Sequence, residues 1–154
     1  MKRAELSHLS KWKDSTDRKP LIIRGARQTG KTWLMKEFGR TSYQKIAYVN
    51  FESNPSLKNM FAENFDIRRI LLAIQIETGV VVNAENTFLI LDEIQEAPGA
   101  LTSLKYFQEN APEYHIISAG SLLGVALSGH PSFPVGKVEF LVTNLPLYAI
   151  SAIE

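Results

Sequence analysis

Gly25-Ala26-Arg27-Gln28-Thr29-Gly30-Lys31-Thr32 satisfies the pattern G-x-x-x-x-G-K-[ST] at every constrained position. These residue types at this spacing suit one task, the cradling of phosphate oxygens. The two glycines let the backbone curl so that successive N–H groups, including those of Ala26, Gln28 and Thr29, face one concavity. Lys31 adds a point charge for the β- and γ-phosphates, and the Thr32 hydroxyl is a hard oxygen donor for Mg2+. A helix starting near Lys31 would add the positive end of its dipole. Arg27, inside the loop, either touches phosphate or sits exposed beside a solvated turn.

A phosphate loop needs a carboxylate to share the metal and, for hydrolysis, a base to orient water. Phe88-Leu89-Ile90-Leu91-Asp92-Glu93 supplies both, as an apolar strand that ends in two acids. Asp92 at the strand tip is the expected Mg2+ partner, and Glu93 the group that reaches toward the attacking water. Gln95 either bonds across to a neighbouring strand or contacts nucleotide. A later strand runs into Ser118-Ala119-Gly120-Ser121. A hydroxyl there could sense the γ-phosphate or position water, and Ser121, just past the strand end, is preferred over Ser118. The alternative for both serines is a small-residue turn that bonds its own backbone.

Other chemistries lack their residues. No N-K-x-D motif supports GTP, so adenine is the default base. His8, His115 and His130 form no metal-binding pair, and His115, within a strand pattern, reads as a packed residue. The sequence has no cysteine, which removes thiol nucleophiles, disulfides and cysteine-ligated zinc and fits a reducing compartment.

The elements that would hold these groups follow from periodicity. Leu6, Leu9 and Trp12 place a short amphipathic helix over about 3–13. Leu21-Ile22-Ile23 is a buried strand feeding the glycine loop, and a helix follows from Lys31 to Phe38 with Gly39 as its stop. A strand spans Ile46 to Phe51. Two helical segments come next, one with Leu57, Met60, Phe61 and Phe65. The other is capped by Asp66, bears Ile67, Ile70, Leu71 and Ile74, and closes near Gly79. The acidic strand covers Thr87 to Leu91. Leu101, Leu104, Lys105 and Gln108 lie on a helix that ends before Pro112. Tyr114 to Ile117 and Val138 to Val142 are the last strands. Strands that are apolar throughout, alternating with helices, predict an α/β fold: a parallel sheet covered on both faces.

The 154 residues suffice for one domain with a real core, and 45% hydrophobic and 21% charged residues exclude wholesale disorder. Net charge is +1, yet the first forty residues hold eleven Lys/Arg against four Asp/Glu, leaving six against twelve in the rest. A uniformly basic surface is thereby excluded and a basic N-terminal face left open. No run approaches the ~20 apolar residues that span a bilayer, and the N-terminus lacks a secretory apolar stretch. A cytoplasmic domain without membrane contact is the expectation.

Lys19 to Thr32, with its G-x-R-Q-x-G-K-T form, resembles the AAA-type P-loop ATPases of archaea and bacteria. The Val49-Asn50-Phe51-Glu52 strand end, Leu91-Asp92-Glu93-Ile94-Gln95, Ala119-Gly120-Ser121 and the Val135-Gly136-Lys137-Val138 turn carry the likeness through nearly the whole chain, from about Arg3 to Leu147. It implies a P-loop three-layer sandwich with an AAA-like core. Lys31, Thr32, Asp92 and Glu93 would serve binding and hydrolysis of ATP with Mg2+, the Walker A and Walker B roles, and Ser121 would act as sensor. Two departures stand out. Lys137 occupies a place usually held by Arg, which keeps the charge but loses the bidentate fork. The chain also stops soon after Pro146-Leu147, where family members continue into a C-terminal domain. The organisation expected is an N-terminal helix over 1–18, the ATPase core over 19–147 and a truncated or non-family tail over 148–154.

The leading expectation is therefore Mg2+-dependent ATP hydrolysis that drives or gates a protein partner or the missing C-terminal domain. One alternative is a nucleotide-gated binding module with little turnover. Another is a DNA-associated ATPase that uses the basic first forty residues. A small-molecule kinase finds no acceptor-site feature.

Overall fold

Among the described residues, five strands are interspersed with five helices, as the apolar runs and helical periods predict. The computed structural model describes residues 2–25, 30–120 and 136–143. In order these are α1 (Lys2–Asp14), β1 (Leu21–Arg24), α2 (Lys31–Ser42), β2 (Lys45–Asn50), α3 (Pro55–Glu63), α4 (Ile67–Thr78), β3 (Thr87–Asp92), α5 (Pro98–Asn110), β4 (His115–Gly120) and β5 (Glu139–Val142), with a 3-10 turn at Ile94–Glu96. The five strands form one parallel sheet in the order β2-β3-β4-β1-β5. Parallel strands place all their carboxyl ends on one rim, where open α/β sheets bind ligands.

Alternation along each strand divides the core in two. Ile22, Leu89, Leu91 and Ile116 pack with Phe61, Ile70, Ile74, Leu101 and Leu104 of α3, α4 and α5. Leu21, Ile23, Phe88, Ile90 and Ile117 pack instead with Leu9 and Trp12 of α1 and with Leu34, Met35 and Phe38 of α2. Every residue of β3 is buried, as expected of a central strand covered on both faces. The N-terminal helix is anchored rather than appended. Leu9 and Trp12 are buried, and the Trp12 indole donates to the Lys19 carbonyl at 2.7 Å.

Local signals explain several helix ends. Asp66 accepts from the Arg68 N–H at 3.0 Å, and Gly79, at φ 72°, turns its N–H onto the Gln75 carbonyl to close α4. Pro55 and Pro98 open α3 and α5 in the first turn, where a missing N–H costs nothing. Gly39 corrects the sequence reading. It does not end α2, which runs on to Ser42. It is buried, and a Cβ there would lie 2.8 Å from Ile46 Cδ1 and 3.0 Å from the Phe88 ring. The glycine lets the helix approach the sheet closely. Phe65, grouped with the third helix by its spacing, falls beyond Glu63 and stacks instead on Tyr106, with ring centres 4.7 Å apart. His115 is half-buried at the amino-terminal rim, its Nδ1 2.5 Å from the Tyr43 hydroxyl, so it packs as expected.

Candidate nucleotide site

Three segments meet at the carboxyl rim: the end of β1 with the start of α2, the tip of β3, and the end of β2. Gly30 sits at φ 81°, a left-handed conformation that favours glycine, and its carbonyl accepts the first helical bond of α2 from Leu34 at 2.9 Å. Lys31 is the first residue of that helix. It is only 8% exposed, and its ammonium donates to the Gly25 carbonyl at 3.3 Å. Thr32 follows, and its hydroxyl donates to Asp92 Oδ2 at 2.6 Å. Two residues sixty positions apart in the sequence are thus in direct contact. Ala26, Arg27, Gln28 and Thr29 lie outside the described residues.

Asp92 is the centre of this grouping and is almost wholly buried. Its Oδ2 also receives the Tyr48 hydroxyl at 2.8 Å, while Oδ1 receives the Glu93 main-chain N–H at 3.0 Å. Burial first, and then donation to Asp92, push the Tyr48 hydroxyl well above the usual tyrosine range, so it remains a donor. Glu93 sits at φ 54° and ψ 47°, a left-handed backbone that is uncommon without glycine and that clusters at functional sites. Its carboxylate accepts from the Gln95 amide at 2.6 Å. Gln95 therefore bonds within its own turn, and its Oε1 lies over the α-carbon of Gly120, where a Cβ would collide with it.

The two serines differ in standing. Ser121 lies outside the described residues. Ser118 is buried within β4 on the face of Ile116, opposite to Asp92, and its hydroxyl has no hydrogen-bond partner among the described residues. Residue types alone could not reveal Tyr48 as part of the site, because its place beside Asp92 depends on β2 pairing with β3. Alternation within Ile46 to Phe51 was the one usable signal.

The donor set fits Mg2+. Among the described residues no three His, Cys, Asp or Glu side chains come together as a metal cage. A hydroxyl and a carboxylate held 2.6 Å apart beside a phosphate loop are instead what Mg2+ uses when phosphates and water complete its shell. A cavity of about 480 Å3 opens at the opposite rim near Tyr114. Its charged lining is Asp66, Arg68 and Glu113, of which Asp66 is occupied in capping α4, so no catalytic grouping forms there.

Comparison with protein families decides the class: the AAA domain model matches residues 17–153. The chain belongs to the AAA domain family. Comparison with curated proteins found no match. Among solved structures, this AAA domain resembles the Walker-type ATPase of Pyrococcus abyssi at 15% identity and TM-score 0.60, over 94% of this chain and 53% of that one. It is also similar to Drosophila ORC bound to AT-rich DNA and Cdc6, at 16% identity and TM-score 0.58, over 94% and 55%. A third likeness is to the Aeropyrum pernix ORC1 protein in complex with DNA, at 15% and 0.54, over 94% and 45%. At these identities the likeness is one of fold, a P-loop α/β sandwich with an AAA-like core. The chain spans about half the length of the structures it matches. Among the described residues no helix is long and apolar enough to cross a membrane.

Proposed function

We propose that this AAA domain binds ATP with Mg2+ and hydrolyses it to ADP and phosphate. The observation that carries the reading is the 2.6 Å contact between Thr32 and Asp92, which joins the phosphate loop to the acidic strand. In this reading the main-chain N–H groups of Gly25 to Thr32 and the Lys31 ammonium hold the phosphates. Thr32 and Asp92 hold Mg2+, which neutralises charge on the phosphate oxygens when bound. Glu93 orients water and takes its proton. The water oxygen bonds to the γ-phosphorus as the bridging P–O bond breaks and ADP departs. Ser121, the residue that follows β4 in the sequence, serves as the sensor.

A single-turnover assay with pre-bound ATP tests this. Phosphate should form with Mg2+ and not with EDTA. ATP retained intact in Mg2+ favours a second reading, a nucleotide-gated binding module, for which the Gln95 hold on Glu93 speaks. The ORC neighbours are seen with DNA and the first forty residues here are basic, so a DNA-associated ATPase is a third reading. It requires salt-sensitive DNA binding and stimulation of hydrolysis by DNA. A protein partner or further domain would receive the work of hydrolysis, in the cytoplasm, where a chain without cysteine is at ease.

A further inference from the structure

We infer that Tyr48 is a positioning residue for the metal-holding carboxylate of Asp92, an inference that rests on the reading of Asp92 as a Mg2+ partner. Tyr48 lies on β2 opposite Ile90, two residues before Asp92 in the paired strand, and reaches along the sheet to Asp92 Oδ2 at 2.8 Å. That oxygen is the one Thr32 also contacts, so the two hydroxyls fix the carboxylate from two elements, α2 and β2. The main-chain N–H of Glu93 holds the other oxygen at 3.0 Å, leaving the carboxylate little freedom to rotate.

Tyr48 is itself held. The Lys36 ammonium lies 4.1 Å from the centre of its ring, and Lys36 is one helical turn beyond Thr32 on α2. Asn50 approaches the phenol oxygen at 3.5 Å. Thr32, Asp92, Tyr48 and Lys36 thus close a ring that runs from the phosphate loop through β3 and β2 back to α2. In a site where Mg2+ keeps few protein ligands, the orientation of each one carries much of the affinity. Partners in the outer shell typically change metal affinity 10- to 100-fold when removed.

Tyr48→Phe removes only the hydroxyl and keeps the ring under Lys36. Mn2+, as a paramagnetic stand-in, is titrated into protein saturated with ADP, and its affinity is read by electron paramagnetic resonance. ADP binding is measured separately in EDTA. The expected result is Mn2+ affinity about ten-fold weaker than in the parent protein, with ADP affinity in EDTA unchanged. Mn2+ affinity within two-fold of the parent overturns the role of Tyr48. So does an equal loss of ADP binding in EDTA, which would mark a structural role only. If the parent protein adds nothing to the Mn2+ affinity of ADP alone, the reading of Asp92 falls first and this inference with it.

Discussion

The Gln95 side-chain amide donates to the Glu93 carboxylate across 2.6 Å, while the backbone at Glu93 is left-handed. The bond aims a flexible acid in one direction, and an amide in its place could accept the same bond. Glu93→Gln is therefore a test of charge with little change of shape. ATP affinity should stay within a few-fold of the parent, and single-turnover hydrolysis should slow by about 100-fold or more, the usual contribution of a positioned base. Hydrolysis at the parent rate would remove Glu93 from the role.

Gly99, in the first turn of α5, lies against the backbone of Phe61 in α3. An added Cβ would press on the Phe61 carbonyl oxygen and come within 2.8 Å of its carbon. Alanine improves helix propensity by roughly 1 kcal/mol, but backbone cannot step aside as a side-chain tip can, and overpacking costs about 1–3 kcal/mol. Gly99→Ala should lower Tm by roughly 2–6 °C in a thermal melt. A raised Tm would mean that α3 and α5 separate without penalty.

His115 supplies a pH dependence. Burial, and then the positive charges of Arg18 and Lys13, push its imidazole down to about 4 from the ordinary 6.5. Between those values the unfolded chain binds the proton and the folded chain does not, so stability falls as pH drops from 6.5 toward 4. The ring is half-exposed, and with solvent screening the loss between pH 7 and pH 5 should be on the order of 1 kcal/mol. Urea midpoints at the two pH values measure it. His115→Gln should flatten the difference, and an unchanged slope would assign the dependence to other groups.

What could be read in the sequence was what neighbours along the chain decide. The phosphate loop needs a strand before it and a helix after it, and Leu21–Arg24 and Lys31–Ser42 provide them. Asp66 and Gly79 bound α4 through bonds to residues two and four positions away. Gly39 misled because a glycine can serve packing as well as helix termination. Which use applies depends on Ile46 and Phe88, distant in sequence. Tyr48 and Gln95 acquired their partners from strand order and from the tight turn after β3, neither of which has a local signature. The placement of Ser118 likewise depends on the sheet. Its face is fixed by the alternation of β4, once Ile117 and Ala119 are seen to join α1 and α2.

The position of β1 bears on how the molecule is made. β1 lies between β4 and β5, so Leu21 pairs with Ile117 and Glu139, both far from it in sequence. Contacts of such long range close late, since loop closure must precede any reward from pairing. During synthesis at the ribosome, the first element of the site to emerge would wait unpaired until β4 follows. A nascent fragment ending before His115 would carry β1 and α2 without the β4 strand that pairs with Leu21 to Arg24.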